Sequence, residues 1–265
     1  MHWKYRVRNL VRALGYEVSV FNPEGSLGSH LVVLFRHLAI NCVLDVGANR
    51  GDFGVFLRNN GYRGHIVSFE PNREVFQQLQ RTAQSDGRWT AHNVALGSAD
   101  ETKPFVITHN SYLSSFHRPI SHYEGFEVEA VEPVQVRRLD GMLDAVLPPV
   151  SHPRLYLKMD TQGWDLEVLR GSSGCLDRIL ALQTEVAVEA DYEGMPMFVE
   201  ALTTLSALGF GVSAMFKVAR DVHSGLLREC DCVMLNRAAA SDAAQRRQRE
   251  QAVAGLQRQP AGRRR

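Results

Sequence analysis

The sequence predicts an α/β fold: a mostly parallel sheet between helices, closed by an antiparallel edge and carrying an inserted β segment. Three observations predict it. Short apolar runs alternate with segments of helical period along most of the chain, the pattern of βαβ units with right-handed crossovers. The last two runs are joined without a helix, which implies the antiparallel edge. The chain has 265 residues, 45% apolar and 22% charged, enough for one large globular domain or two small ones.

The elements follow in order. Residues 3–14 place Trp3, Val7, Leu10, Val11 and Leu14 on one helical face, with Lys4, Arg6, Arg8 and Arg12 mostly elsewhere. Such a helix packs on its own domain or lies on a membrane surface, and packing is the expectation. Gly15 and Asn22-Pro23 break the chain, and Leu31–Ile40 reads as a second helix. Strands are expected at 42–46, 65–69, 89–96, 155–159, 179–188, 210–216 and 230–235. Helices are expected at 52–59, 72–83, 164–169 and 197–208. Between Lys103 and Leu147 the rhythm changes: 103–108 and 128–136 look like strands, joined by a polar stretch rich in histidine. With no Gly- or Ser-rich linker and no repeat, the division is an N-terminal helical segment (1–40), one domain (41–237) and a tail (238–265).

Net charge is +1, so no overall field attracts nucleic acid. The longest apolar run, Leu31–Phe35, is far too short to span a bilayer, and the N-terminus lacks the apolar stretch of a signal peptide. The tail holds seven arginines and two acids with only Val253 and Leu256 as larger apolar residues, a composition that predicts a disordered or fraying helical extension. Cys42, Cys175, Cys230 and Cys232 show no CxxC and no zinc-like spacing, so a reduced, cytoplasmic protein is expected.

The chemistry begins at Asp45-Val-Gly-Ala-Asn-Arg-Gly51, a turn directly after a strand and directly before a helix. Gly47 and Gly51 let backbone approach a ligand closely, and the helix start offers free N–H groups. In an open α/β sheet such a turn lies at the carboxyl ends of the strands, where ligands bind. Glu70 ends the next strand and can accept hydrogen bonds from both hydroxyls of a ribose. The dinucleotide fingerprint GxGxxG requires glycine where Asn49 stands, and the Walker A lysine is absent. A ligand with a ribose and no phosphates, such as S-adenosylmethionine, suits this turn better, with Asp45 meeting its cationic methionine end.

Asp45–Gly51, Phe69-Glu70-Pro71, Asn93-Val-Ala-Leu-Gly97 and above all Leu157-Lys-Met-Asp-Thr-Gln-Gly-Trp-Asp-Leu-Glu-Val-Leu-Arg-Gly171 resemble the FkbM-type S-adenosylmethionine-dependent methyltransferases. Glu185, Tyr192-Glu-Gly194 and Leu208-Gly-Phe210 also fit, so the resemblance runs from about Val43 to Asn236. It implies a Rossmann-like class I methyltransferase fold with a seven-stranded sheet, and O-methylation of a hydroxyl on a sugar, glycolipid or polyketide. By position, Gly47, Asn49 and Gly51 line the cofactor, Glu70 holds the ribose, Asn93 and Val94 flank the adenine, and Asp160 faces the methyl group. Asp165 stands where the family more often has Glu, and Trp164 where a less bulky residue is common.

Methyl transfer needs an acceptor oxygen held in line and a place for its proton. Asp160 is the first candidate to orient or deprotonate it, and Glu185 the second. Lys158, two residues from Asp160 on the same strand face, either keeps a carboxylate ionised or serves the structure. His109, His117 and His122 of the inserted segment are read as surface residues, with an acceptor lid the alternative. No compact His–carboxylate spacing points to a metal. Two rivals remain: an NAD-dependent oxidoreductase, which shares the strand–turn–helix–acid arrangement, and a non-catalytic binding protein that kept the fold. The acceptor expected is a small molecule or glycan, with no nucleic acid partner and at most a peripheral membrane contact.

Overall fold

A computed structural model describes residues 3–15, 22 and 25–241. Of the tail expected to be disordered or a fraying helix, residues 238–241 are helical and the rest lies outside the described residues. The main sheet has seven strands in the order β3 (Trp89–His92), β2 (His65–Phe69), β1 (Cys42–Val46), β7 (Leu155–Met159), β8 (Ile179–Ala187), β10 (Leu227–Asn236) and β9 (Phe210–Arg220). All pairs from β3 to β8 are parallel, whereas β10 runs antiparallel to both β8 and β9. This is the topology of the class I methyltransferase fold that the family resemblance implied. A second, three-stranded sheet orders β4 (Ala95–Leu96), β6 (Val128–Arg137) and β5 (Glu101–Thr108), and is the inserted β segment.

Alternation along the buried strands builds two cores. Cys42, Leu44, Val46, Leu155, Leu157 and Met159 face one way, onto Leu139 and Leu143 of α5 (Leu139–Val146), Leu166 and Leu169 of α6 (Asp165–Arg170) and Leu205 of α7 (Phe198–Ala207). Val43, Ile66, Tyr156, Ala181 and Val233 face the other way. There they meet Leu31, Leu34 and Leu38 of α2 (Leu27–Leu38), Leu57 of α3 (Asp52–Asn59) and Leu79 of α4 (Arg73–Ala83). α2 is therefore part of the main core and not of a separate N-terminal unit.

Some bounds shift, as in α2, which was expected at 31–40, and β9, expected at 210–216, and three elements differ in kind. The strand expected over 89–96 divides, because Asn93 turns its amide back to the carbonyls of Glu70 (2.9 Å) and Pro71 (3.0 Å) and the chain then leaves the main sheet for the small one. α5 was not foreseen; it is short and holds Gly141, which weakens a helical reading of its period. The N-terminal helix forms as α1 (Trp3–Ala13), but it does not pack: Trp3 is 66% exposed, Val7 47%, Leu10 67% and Leu14 69%. No helix of the described residues is long and apolar enough to cross a membrane. All four cysteines are buried and free.

Candidate active site

The second face of the sheet changes character toward the carboxyl ends of its strands. Below lies the apolar row of Ile66, Val43 and Tyr156. One pleat higher, register aligns Ser68 with Asp45, Asp45 with Lys158, and Lys158 with Gln183. One pleat higher again stand Glu70, Asp160 and Glu185, with Asp231 of β10 opposite Glu185. Parallel pairing of strands whose sequences share this spacing therefore stacks polar groups into a patch that no single strand contains.

Lys158 occupies the centre of that patch. Its Nζ lies 3.3 Å from Asp45 Oδ1, 3.4 Å from Asp160 Oδ2 and 3.3 Å from the Gly47 carbonyl, and 5.4 Å from the centre of the Phe53 ring. Burial disfavours its charge, but the two carboxylates outweigh burial and its pKa is raised. Asp45 is fully buried; Ser68 donates to its Oδ2 at 3.0 Å, while Oδ1 has no aligned hydrogen bond and is neutralised by the Lys158 ammonium alone. The ion pair that the sequence left open is thus both structural, through Asp45, and part of the site, through Asp160.

A cavity of about 360 Å³ opens above these residues, large enough for a small ligand. Val46, Gly47, Ala48 and Asn49 form its floor, and Glu70 and Pro71 stand on one side. Glu70 is 5% exposed; its Oε2 accepts from the Asn49 N–H at 2.9 Å and its Oε1 from the Asn72 N–H at 2.8 Å. Burial raises its pKa to about 7 against those two hydrogen bonds.

On the other side, Asp160, Gln162 and Glu185 are tied together. The Gln162 amide donates to Asp160 Oδ1 at 3.0 Å and to Glu185 Oε2 at 3.1 Å, and its own oxygen lies 2.9 Å from the Tyr192 hydroxyl, whose one proton it shares with the Leu113 carbonyl at 2.7 Å. Gln162 holds a left-handed backbone (φ 53°), maintained by Ser115 Oγ on its carbonyl and by the next turn. That turn is fixed by Asp165, which accepts from the Thr161 N–H at 3.0 Å and from the hydroxyls of Thr161 and Thr184. Burial and the neighbouring Asp160 push the Glu185 carboxyl well above the usual range. Burial lifts Asp231 to about 6 and Glu229 to about 7.

The inserted segment covers the glycine-rich turn. The Tyr112 hydroxyl bonds the Asp52 carboxylate, and Ser111 Oγ lies 3.4 Å from the Asn49 amide. Ser111, Tyr112, Ser114 and Phe116 line the cavity. The histidines do not: His109 pairs with Glu129, His117 bonds the Glu193 carbonyl and meets Trp164 edge-on, and His122 is exposed.

Of the residues expected at a cofactor, Gly47, Asn49 and Glu70 line the cavity, as do Asp160 and Glu185 of the expected catalytic pair. Asp45, Gly51, Asn93 and Val94 do not. Asp45 is enclosed by Lys158 and Ser68, Val94 belongs to the core, and Asn93 ties β2 to the end of β3. Gly51 begins α3, where a Cβ would lie 3.1 Å from Leu79 and Trp89. Gly47 is held open by the protein as well: a Cβ there would lie 2.0 Å from the Asp160 carbonyl. Gln162 and Tyr192 lie in stretches that carry the resemblance, but the sequence analysis gave neither of them a site role. Gln162 lies inside the most specific motif and Tyr192 opens Tyr192-Glu-Gly194, but the contact between them crosses thirty positions and neither motif by itself indicates it. Among the described residues, no group of three or more His, Cys, Asp or Glu side chains is arranged to hold a metal ion.

Comparison with known proteins gives relatives for the chain. The chain is 28% identical over 191 residues to "Methyltransferase 1" of Beauveria bassiana (strain ARSEF 2860), covering 64% of this chain and 72% of that protein. The crystal structure of Methyltransferase FkbM from Methylobacillus flagellatus KT matches with a TM-score of 0.45 and 15% identity, over 73% of this chain. The present chain spans 43% of that structure's length. An rRNA methylase from Streptococcus thermophilus matches with a TM-score of 0.39 and 10% identity, over 77% of this chain and 94% of that one. The model of the Methyltransferase FkbM domain family matches residues 45–212, well over half of the sequence and both walls of the cavity, and the chain belongs to that family.

Proposed function

We propose that the chain is an S-adenosylmethionine-dependent O-methyltransferase acting on a hydroxyl of a small molecule or glycan in the cytoplasm. The observation that carries this reading is the pairing, across one cavity, of the Glu70 carboxylate with the Asp160–Gln162–Glu185 cluster. The residues present fit the cofactor. Each Glu70 oxygen accepts one backbone N–H and keeps one lone pair, which suits two vicinal hydroxyls of a ribose. Pro71, Ala95, Leu96 and Phe105 add an apolar wall beside it, suited to a purine. When bound, S-adenosylmethionine supplies a methyl group on a sulfonium centre.

The protein's own part is to position the acceptor and take up its proton. Asp160 is partly open to the cavity and sits beside the Lys158 ammonium, so it can accept the hydroxyl proton at Oδ. Glu185, whose carboxyl is pushed upward by burial and by the neighbouring Asp160, stands on the same cavity wall as a second group that can orient the acceptor hydroxyl. Gln162 holds both carboxyl groups in one orientation, and Tyr192 holds Gln162.

Charge favours an uncharged acceptor over a nucleic acid. The cavity wall carries five carboxyl groups, Asp52, Glu70, Asp160, Glu185 and Asp231, and one ammonium, Lys158, which is already paired. A phosphate backbone meets no compensating cation there. Calorimetric titration with S-adenosylhomocysteine and with NADH, followed by transfer of labelled methyl to glycan, small-molecule and RNA pools, tests the reading. Label reaching RNA alone, or NADH binding without S-adenosylhomocysteine binding, overturns it.

A further inference from the structure

α1 carries a surface that the methyl-transfer site does not explain. At 100° per residue, Trp3, Val7, Leu10, Val11 and Leu14 fall within a stripe about 100° wide. Arg6 lies beyond one edge of the stripe, and Arg8 and Arg12 beyond the other. Residues 3–15 hold four basic side chains and no acidic one. The stripe does not cover the protein's own core, since Trp3, Leu10 and Leu14 are each about two-thirds exposed and none joins either main cluster.

We propose that α1 is an interfacial helix that seats the protein on an anionic lipid bilayer, with its stripe among the acyl chains and its basic flanks among the headgroups. Charge selects this occupant. A second copy of α1 laid on the first would bring basic borders against basic borders, with no acid within the helix to pair them. Anionic headgroups complement a helix that holds four basic residues and no acid, and a basic, Trp-bearing amphipathic helix of low overall hydrophobicity is the form that lies in the bilayer interface. The position of the site agrees with it. α2, the helix that follows α1, begins at Leu27 in the wall of the cavity. Ile120, Tyr123, Val222 and Leu226 are also exposed, on loops at the end of the sheet where β8 stops and β10 begins. An amphiphilic acceptor held in the same membrane would then meet an apolar approach to the cavity.

The test is flotation of the full chain with phosphatidylcholine vesicles, with and without about 30% phosphatidylglycerol, at low and high salt. Partition onto the anionic vesicles is expected to exceed that onto neutral ones by about tenfold or more, to fall with salt, and to drop about tenfold in Leu10→Glu. The same Leu10→Glu sample should keep its melting temperature and its S-adenosylhomocysteine affinity, because Leu10 lies outside both core and site. Equal binding to both vesicles overturns the proposal. So does binding that survives Leu10→Glu, which would belong to the arginine-rich tail, and so does a lipid-free dimer that Leu10→Glu dissolves. The affinity measurement tests the methyl-transfer reading separately, so either can fail alone.

Discussion

Replacing Lys158 by Met should destabilise the protein strongly, and the structure gives the size. Asp45 is fully buried, and its Oδ1 depends on the Lys158 ammonium 3.3 Å away. Without that ammonium the carboxylate must either stay charged in the core or take up a proton. Neutralising an ordinary aspartic acid at pH 7 costs about 4 kcal/mol, at ~1.4 kcal/mol per pH unit, and this sets the ceiling. Breaking a buried pair from one side costs about 3–5 kcal/mol in general, so the two figures agree. For a protein of this size 1 kcal/mol moves the melting temperature by roughly 2–4 °C, so a fall of about 6–16 °C is expected. Lys158→Met combined with Asp45→Asn removes both charges and should recover most of that loss, because Asp160 is partly exposed and can be hydrated. Scanning calorimetry and urea unfolding of the wild type, both single variants and the double variant measure the coupling. A fall of under about 2 °C in Lys158→Met, or a double variant no more stable than that single, would refute a buried ion pair here.

Four further outcomes follow from the same geometry. Glu70 must be ionised to accept two hydroxyls; with its pKa near 7, S-adenosylhomocysteine should bind roughly tenfold more tightly at pH 8 than at pH 6, and Glu70→Gln should flatten that dependence. Asp160→Asn should lower turnover by about 10²–10⁴ with little change in cofactor affinity; near-normal turnover in the folded variant moves the proton to another group. Gln162→Ala should lower turnover and shift its pH profile while Gln162→Glu places a third carboxyl between two others and shifts the profile further upward; a loss of melting temperature with a normal profile would make Gln162 merely structural. Glu70, Glu229 and Glu185 have pKa values raised in the fold, so the native state holds more protons than the unfolded chain and stability falls as pH rises through them. His65 and His92, whose pKa values are lowered, contribute only below about 6.5, so the melting temperature should decline from pH 6.5 to 8, and a rise over that range contradicts the assignment.

By itself the sequence determined the elements whose signals are local. β1, α3, β2 and β7 stand at the residues that hydrophobic runs and turn chemistry indicate, because a buried strand writes its own pattern and a helix start its own cap. Glu70, Asp160 and Glu185 were legible for the same reason: each is an acid at the carboxyl end of a readable strand, and the most specific motif surrounds Asp160. Tertiary structure alone decided what those acids touch. Whether Lys158 serves Asp45, Asp160 or both depends on register between β1 and β7, which are separated by more than a hundred residues. The bridge from Tyr192 through Gln162 to two carboxylates joins two loops and two strands, and no period along the chain encodes it. Only the fold, likewise, could show that Gly47 and Gly51 make room for the protein's own backbone and side chains, and that the apolar stripe of α1 is left uncovered. Periodicity records which side of an element is apolar, and only the assembled molecule determines what that side meets.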